Sequence, residues 1–426
     1  MNRDSFLSTL GQLIALGDRL QNSVSGGKVP CERLAAEVVL ARLRRYIDSG
    51  IIRAELIASP TAPERPNLIL CLKGEVEETI GFVGAHFDVV PADRVAEAWT
   101  TNPFELVIDS DGTLRGRGVT DCLGHVALLT ELLAELAERG RRPHRSIVVV
   151  MISNEEESNV PGIGLDFVAE LGKLDVLAKG PVYWLDSADF GPTLGTGGIA
   201  TWELDVVGVP GHSGMPHQCI NALELAMDTV LAMSRWFRDS YPPHPNEAQY
   251  HFGSSSSLKA TVIECENRKV TMIPGAVKIR GDIRLTPFYD VPKVIEATQA
   301  FVVSLERQLT DPTACGPLTR YRSALGQASI QFKPATHFGQ GVACRLDSDG
   351  LRALTSAIVK VRGEGGLSPS SMTGSLPLVR DLQERGFDVQ ITGFGRQVAY
   401  HAPNEFGVLK DFEDGYAILL DLVESL

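Results

Sequence analysis

The chain has 426 residues, enough for two or three domains at about 150 residues each. Hydrophobic residues make up 44% and charged residues 22%, an ordinary globular balance that excludes a disordered, collagenous or coiled-coil protein. Lys+Arg number 40 against 53 Asp+Glu, and the net charge of -13 argues against a protein that works by gripping nucleic acid or anionic lipid.

Residues 1–20 carry Phe6, Leu10, Leu13 and Leu20 at helical spacing with acidic residues mixed in. That pattern predicts the first helix of the fold and not a secretion signal, which would show a basic start and an apolar block. No apolar run approaches the roughly 18 residues of a membrane helix, so a soluble protein without a membrane partner is expected. The cysteines (Cys31, Cys71, Cys122, Cys219, Cys265, Cys315, Cys344) are odd in number, scattered and without a C-x-x-C pair. They predict reduced thiols that fill core space in a cytoplasmic protein.

The runs 66–72 (PNLILCL), 80–85 (IGFVGA) and 146–152 (SIVVVMI) read as buried strands, and 123–139 reads as a helix. Strands rich in Val and Ile that alternate with helices predict an α/β fold, a sheet covered on both faces. Sites in such folds are built at strand ends. From about residue 198 the texture changes to the alternating run 200–207, the loop GVPGHSGMP and a helix over 221–237. Strand-like alternation follows at 259–265 and 276–285, then a helix over 291–309 and a last strand at 327–334. This predicts a separate α+β sandwich over 198–343, inserted into a first domain made of 1–197 and 344–426.

Metal-type ligands gather where strands end. In GAHFDVVP, His86 and Asp88 follow a strand two residues apart and project to the same side, so the carboxylate can hold the imidazole. A structural His-x-Asp pair would look the same. Asp121, in GRGVTDCLGH, directly precedes a helix; it suits a helix cap, a shared metal ligand, or both. His125, one turn on, suits the core. SNEEESN places Glu155, Glu156 and Glu157 after a strand. A solvated loop explains such a run, and for Glu157 that reading stands; two adjacent Glu could also divide metal binding and proton transfer. Asp186 in YWLDSAD and His401 in YHAPNEF complete the set. Together His86, Asp121, Glu156, Asp186 and His401 offer nitrogen and carboxylate ligands without thiolate, which suits catalytic Zn²⁺, Co²⁺ or Mn²⁺. Five ligands serve two cations if one carboxylate bridges them. No G-x-S-x-G, Walker A or H-E-x-x-H motif is present, and the G-x-G-x-x-A of Gly195, Gly197 and Ala200 precedes a strand instead of opening a helix.

In order, GAHFDVV, GRGVTD, NEEE, LDSAD, the GxxHSGxP loop, IPG...GDIRLTP and HAPNE resemble the co-catalytic zinc amidohydrolase and exopeptidase family over nearly the whole chain. That family includes acetylornithine deacetylases, succinyl-diaminopimelate desuccinylases, aminoacylases, carboxypeptidases and dipeptidases. GRGVTDCLGHVALLTELL, GHSGMPHQCINALELAM, GDIRLTPFYDV and TGSLPLVRDLQERGFDVQ look like its plant-type acetylornithine deacetylase branch.

The resemblance implies a catalytic domain of mixed sheet and flanking helices, with the insert as a lid and dimerisation domain. It implies His86, Asp121, Glu156, Asp186 and His401 as ligands of two divalent cations, zinc first with cobalt or manganese as alternatives, and Asp121 as the bridge. It implies Glu155 as general base, Asp88 as holder of His86, and His212 as an oxyanion-stabilising histidine offered to the partner of a homodimer. Arg284, Thr373, Gly374 and Ser375 would bind the substrate carboxylate; for Arg284 a strand-face salt bridge is the competing reading. Thr271 stands where the family usually has Asn. The implied reaction is hydrolysis of an N-acyl amino acid, foremost N-acetylornithine to ornithine and acetate on the arginine route. Dipeptidase, carboxypeptidase, aminoacylase, acetylcitrulline deacetylase and desuccinylase activities are the alternatives, and a non-catalytic binding protein is the remote one.

Overall fold

The structure is a computed structural model that describes residues 1–157, 160–267, 269–323, 328–376 and 379–426, and of 335–337 only the backbone. Ser158 and Asn159 of SNEEESN, Gln327 of the expected last strand, and Pro377 and Leu378 of TGSLPLVRDLQERGFDVQ lie outside the described residues. The chain divides into two compact units: Met1–Leu194 with Cys344–Ser370 and Pro377–Leu426, and Gly195–Ala343 with Ser371–Leu376. The sequence pattern gave no sign that 371–376 belongs with the second unit. Contacts made far along the chain put it there: the Gly197 N–H donates to the Gly374 carbonyl at 2.7 Å and the Ser371 hydroxyl to the Tyr250 carbonyl at 2.5 Å.

Helix α1 (Arg3–Ala15) starts on Asn2, whose side chain accepts the Ser5 N–H, and is followed by α2 (Arg33–Asp48). Strands β1 (Ile52–Ile57), β2 (Asn67–Leu72) and β3 (Thr79–His86) precede helix α3 (Leu123–Glu138), strand β4 (Ser146–Ile152) and strand β5 (Pro181–Leu185). Strand β6 (Thr193–Thr196) leads to the second unit, built from β7 (Gly198–Val207), α4 (Ala222–Ser240), β8 (Ser257–Glu264), β9 (Ala276–Leu285), α5 (Val291–Thr310) and β10 (Ser329–Gly339). The chain then continues through α6 (Asp349–Arg362), β11 (Asp388–Thr392), β12 (Phe406–Val408) and α7 (Leu409–Ser425).

In the first unit the sheet order is β1-β2-β4-β3-β5-β11-β6. The outer pairs β1–β2, β2–β4 and β11–β6 are antiparallel, while β4–β3, β3–β5 and β5–β11 are parallel. The central strands β3, β4 and β5 are buried on both faces, in keeping with their mostly apolar sequences. Helix α3 is buried along most of its length, its apolar residues joining those of α1, α2, α7 and the sheet in one core. Its one buried acid, Glu131, takes both oxygens to the Arg42 guanidinium at 2.8 Å and accepts from the Ser5 hydroxyl at 3.0 Å, so the charge is fully partnered.

The second unit is an antiparallel sheet in the order β8-β9-β7-β10, with α4 and α5 closing its core. Alternation is clean: Ala200, Trp202, Leu204 and Val206 of β7 are buried, while Glu203 and Asp205 meet Lys278 and Lys333 on the other face. Asn221, Asp290 and Ser348 cap α4, α5 and α6 through their side chains.

Of the cysteines, all seven are free, but only Cys122 and Cys344 are buried and Cys315 is exposed, so the core-filling role expected of the set holds for two. Among the described residues no helix is long and apolar enough to cross a membrane. Leu129 of α3 is wholly buried. Leu129→Ala is expected to destabilise the first unit by about 2–5 kcal/mol, read as a lower denaturant midpoint in its unfolding curve.

Candidate metal centre

Four neighbouring strands, β4, β3, β5 and β11, all run the same way, so their C-terminal ends line up along one edge of the sheet. Candidate side chains leave from each end. His86 is the last residue of β3 and Asp186 directly follows β5. After β4, Asn154 adopts a left-handed backbone (φ 64°), which Asn tolerates, and turns the chain sharply before Glu155 and Glu156. Beyond β11 the chain reaches His401, itself left-handed at φ 55°.

Asp121 does not cap α3: the N-cap position is Cys122, without a side-chain cap bond. The Asp121 side chain is directed elsewhere, with Oδ1 2.9 Å from His86 Nε2 and Oδ2 3.1 Å from His401 Nε2. His401 Nε2 is also 3.1 Å from Glu156 Oε2, and Glu155 Oε2 stands 4.0 Å from His86 Nε2. Ligand atoms of His86, Asp121 and Glu156 lie within 4.8 Å of one another, and so do those of His86, Cys122 and Asp186. One carboxylate thus stands between two imidazoles, with Glu156 beside His401 and Asp186 beside His86. The His401 side chain is 59% exposed, so the cluster opens to its surroundings there, while His86 is wholly buried.

Asp88, also wholly buried, organises the inner side. His86 Nδ1 is 2.9 Å from the Asp88 carbonyl and 3.6 Å from its carboxylate. The same carboxylate accepts the Glu155 N–H at 3.2 Å, the Glu156 N–H at 3.0 Å and the Asn22 amide at 2.8 Å. It fixes both the imidazole and the Glu155–Glu156 turn.

Five carboxyl groups, those of Asp88, Asp121, Glu155, Glu156 and Asp186, share this space with two imidazoles. Burial, reinforced by the Asp186 charge, pushes Glu155 well above the usual carboxylate range. Burial and the Asp121 charge lift Glu156 to about 8, and burial lifts Asp186 to about 7. For Asp121, burial is outweighed by hydrogen bonds with His401 and His86, which hold it low; those with Asp121 and Glu156 raise His401 to about 11. Surplus negative charge that cannot be solvated calls for a counter-charge, and imidazole and carboxylate donors at these separations fit two divalent cations.

Sequence reasoning expected a ligand set without sulfur, yet the Cys122 Sγ lies beside His86 and Asp186. Its thiol is held neutral, because burial pushes it well above its ordinary value. The sulfur is 3.4 Å from the Leu185 carbonyl and 3.3 Å from His125 Nδ1. His125 is the satisfied core residue expected of it: its Nε2 accepts the Phe394 N–H at 2.7 Å, and burial lowers it to about 4. Two neighbours went unnoticed in the sequence. The Tyr400 hydroxyl is buried with no hydrogen-bond partner among the described residues, and burial followed by the charges of Asp186 and Asp121 pushes it far above the tyrosine range. Glu405, wholly buried, accepts the backbone N–H groups of Gly118, Thr120 and Asp121. Neither carries a local signal; the only pointer was the HAPNE segment itself.

The remaining candidates belong to the second unit. His212 is exposed, its Nδ1 accepting the Gly214 N–H at 3.0 Å. Arg284 donates to Asp282 at 2.8 Å, the strand-face salt bridge that the sequence offered as its other reading. The Thr373 hydroxyl is 3.2 Å from that of Ser254, and the segment through Gly374 and Ser375 is held to this unit by the Gly197–Gly374 bond. Thr271 accepts the Ser213 N–H through its carbonyl at 3.0 Å, beside the His212 loop.

A sheet that gathers imidazoles and carboxylates at its parallel strand ends is the framework of a metal-dependent hydrolase. The sequence pattern of Peptidase family M20/M25/M40 matches residues 82–425, and the chain belongs to this family of dinuclear metal-dependent amidohydrolases. It is 40% identical to the acetylornithine deacetylase of Dictyostelium discoideum, covering all of this chain and 98% of that protein. To the acetylornithine deacetylase of Arabidopsis thaliana it is 39% identical, covering 100% of this chain and 96% of that one. Among solved structures, the dipeptidase Dug1p of Saccharomyces cerevisiae superposes with a TM-score of 0.70 at 18% identity, covering 99% of this chain and 95% of that one.

Because bound cations stabilise the folded state by mass action, stripping the protein with chelator is expected to lower its melting temperature by several degrees, and Zn²⁺, Co²⁺ or Mn²⁺ to restore it. A melting temperature indifferent to both treatments would contradict a metal centre.

Proposed function

We propose that this protein hydrolyses the amide bond of N-acetylornithine to give ornithine and acetate, a step in arginine biosynthesis. The observation that carries the chemistry is Asp121, one oxygen on each of two imidazoles, with Glu156 beside His401 and Asp186 beside His86. The full-length relation to two acetylornithine deacetylases supports the substrate.

In this reading His86, Asp121 and Asp186 hold one divalent cation, and Asp121, Glu156 and His401 the other. Zinc is the first choice; cobalt and manganese suit the same nitrogen and oxygen donors. When bound, the pair would polarise the acyl oxygen and lower the pKa of a water. Glu155, beside His86 and not needed as a ligand, is the general base: it takes the proton of the attacking water and delivers it to the leaving amine nitrogen. Asp88 keeps His86 and the Glu155–Glu156 turn in register. Arg284, with Thr373, Gly374 and Ser375, receives the substrate carboxylate, for which a guanidinium fork is suited; that carboxylate would compete with Asp282. His212 stabilises the tetrahedral oxyanion in the partner subunit of a homodimer.

The homodimer reading is supported by an apolar groove between α4 and the edge strand β8. Met227 and Leu231 are 58% and 48% exposed there, and Val262 and Ile263 are 43% and 54% exposed. A cytoplasmic location accords with seven free cysteines.

The substrate is tested by amine release from N-acetylornithine, N-acetylcitrulline, N-acetylmethionine, N-succinyl-diaminopimelate and a dipeptide, with and without chelator. Chelator-sensitive preference for acetylornithine is expected, whereas preference for the dipeptide or the succinyl compound would replace the substrate and keep the metal chemistry. Glu155→Gln is expected to cut kcat by about 10²–10⁴-fold with metal content retained, and full activity in that variant would refute its role. His212→Ala is expected to cost about 10²–10³-fold. Mixing it with Glu155→Gln protomers should restore part of the activity, and no recovery in verified mixed dimers would mean that each site is self-contained.

A further inference from the structure

The HAPNE segment supplies more than His401. Four residues on, Glu405 is wholly buried, and its carboxylate collects four donors from the loop that ends in Asp121. Oε1 accepts the N–H of Thr120 at 2.8 Å and of Asp121 at 3.0 Å; Oε2 accepts the N–H of Gly118 at 3.0 Å and Arg117 Nη1 at 2.8 Å. The Glu405 carbonyl in turn accepts the Gly116 N–H at 3.1 Å. Arg117, 1% exposed, supplies the counter-charge, and its guanidinium lies 5.1 Å from the Trp99 ring centre. The segment is itself rigidly shaped: His401 and Asn404 are both left-handed, and the Asn404 side chain accepts the N–H and hydroxyl of Thr100 at 2.7 and 2.8 Å.

We infer that Glu405 is the positioning residue for Asp121, fixing the bridging carboxylate to the same stretch of chain that presents His401. The inference rests on the metal-centre reading. Asp88 is the built precedent within the site: it holds the Glu155–Glu156 turn by two backbone N–H groups, as Glu405 holds the Asp121 loop by three. A carboxylate suits this work because both of its oxygens accept, and four charge-assisted bonds leave the loop no freedom to swing. With its backbone N–H committed to Glu405, Asp121 has only its side-chain torsions left, and both oxygens are already directed at His86 and His401. A metal site tolerates displacements of about 0.5 Å, so the loop's register decides whether one carboxylate can serve two cations.

Glu405→Gln keeps the shape but replaces one accepting oxygen by an amide that cannot accept, so at least one loop N–H loses its partner. Loaded full-length protein is titrated with a chromophoric chelator to give the Co²⁺ affinity, and the visible spectrum of the Co²⁺ form reports ligand geometry. Glu405→Gln is expected to bind Co²⁺ about 10–100-fold more weakly and to shift the spectrum; Glu405→Asp should fall between it and the wild type. Arg117→Gln/Glu405→Gln removes both buried charges together and covers the case in which the single variant fails to fold. A folded variant with affinity within twofold of wild type and an unchanged spectrum would overturn the inference and leave the metal centre intact, whereas a wild-type chain that takes up no cation would overturn both. Amide exchange in the wild type needs no variant: the N–H groups of Gly118, Thr120 and Asp121 should be protected with and without chelator. Exchange at the rate of open loops in the chelated protein would show that Glu405 does not hold the loop, and would sink the proposal.

Discussion

Everything in the first unit converges on one carboxylate, Asp121, held between two imidazoles that enter from remote parts of the chain. His86 arrives 35 residues earlier, at the end of a buried strand. His401 arrives from a turn near the C-terminus whose backbone is left-handed at two positions. For one side chain to meet both, the loop before α3, the end of β3 and the HAPNE turn must all be fixed to within a fraction of an ångström. The parallel quartet of strands provides the first constraint by ending together, and the buried carboxylates of Asp88 and Glu405 provide the second by tying down the loops between them.

Burial makes this arrangement costly unless cations balance it. Burial first, and the neighbouring carboxylates after it, raise Glu155, Glu156 and Asp186 above their ordinary values, while Asp121, paired with both imidazoles, and Asp88, bonded to His86, stand below. The two behaviours divide the labour. In the proposed reading the carboxylate that pairs with both imidazoles is the bridge, and Glu155 takes up the proton. The same contrast separates Cys122 and His125, which burial holds neutral, from the groups that carry charge.

The second unit obeys simpler physics. Its sheet is apolar on the helix-covered face and charged on the other, so alternation alone specified β7 and β9, and side-chain caps marked where α4 and α5 begin. What alternation left open was the return of the chain. Residues 371–376 join this unit through backbone bonds to Gly197 and His251, partners well over a hundred positions away.

The sequence by itself pointed to β2, β3 and β4, because short Val- and Ile-rich runs such as SIVVVMI favour a buried sheet, but not to β1, β6, β11 or β12, and it pointed to the candidate ligand types, because imidazole and carboxylate at strand ends have a restricted chemistry. It named His86, Asp88, Asp121, Glu155, Glu156, Asp186 and His401, and the fold brings all seven together. Only the tertiary structure decided that Asp121 turns away from the helix it precedes, that the Cys122 sulfur sits beside the cluster, and that Glu405 and Arg117 form its support. These depend on hydrogen bonds between residues up to 288 apart, and a buried Glu in a turn has the same local sequence as a solvated one. The difference between them is burial, which exists only after the chain has folded.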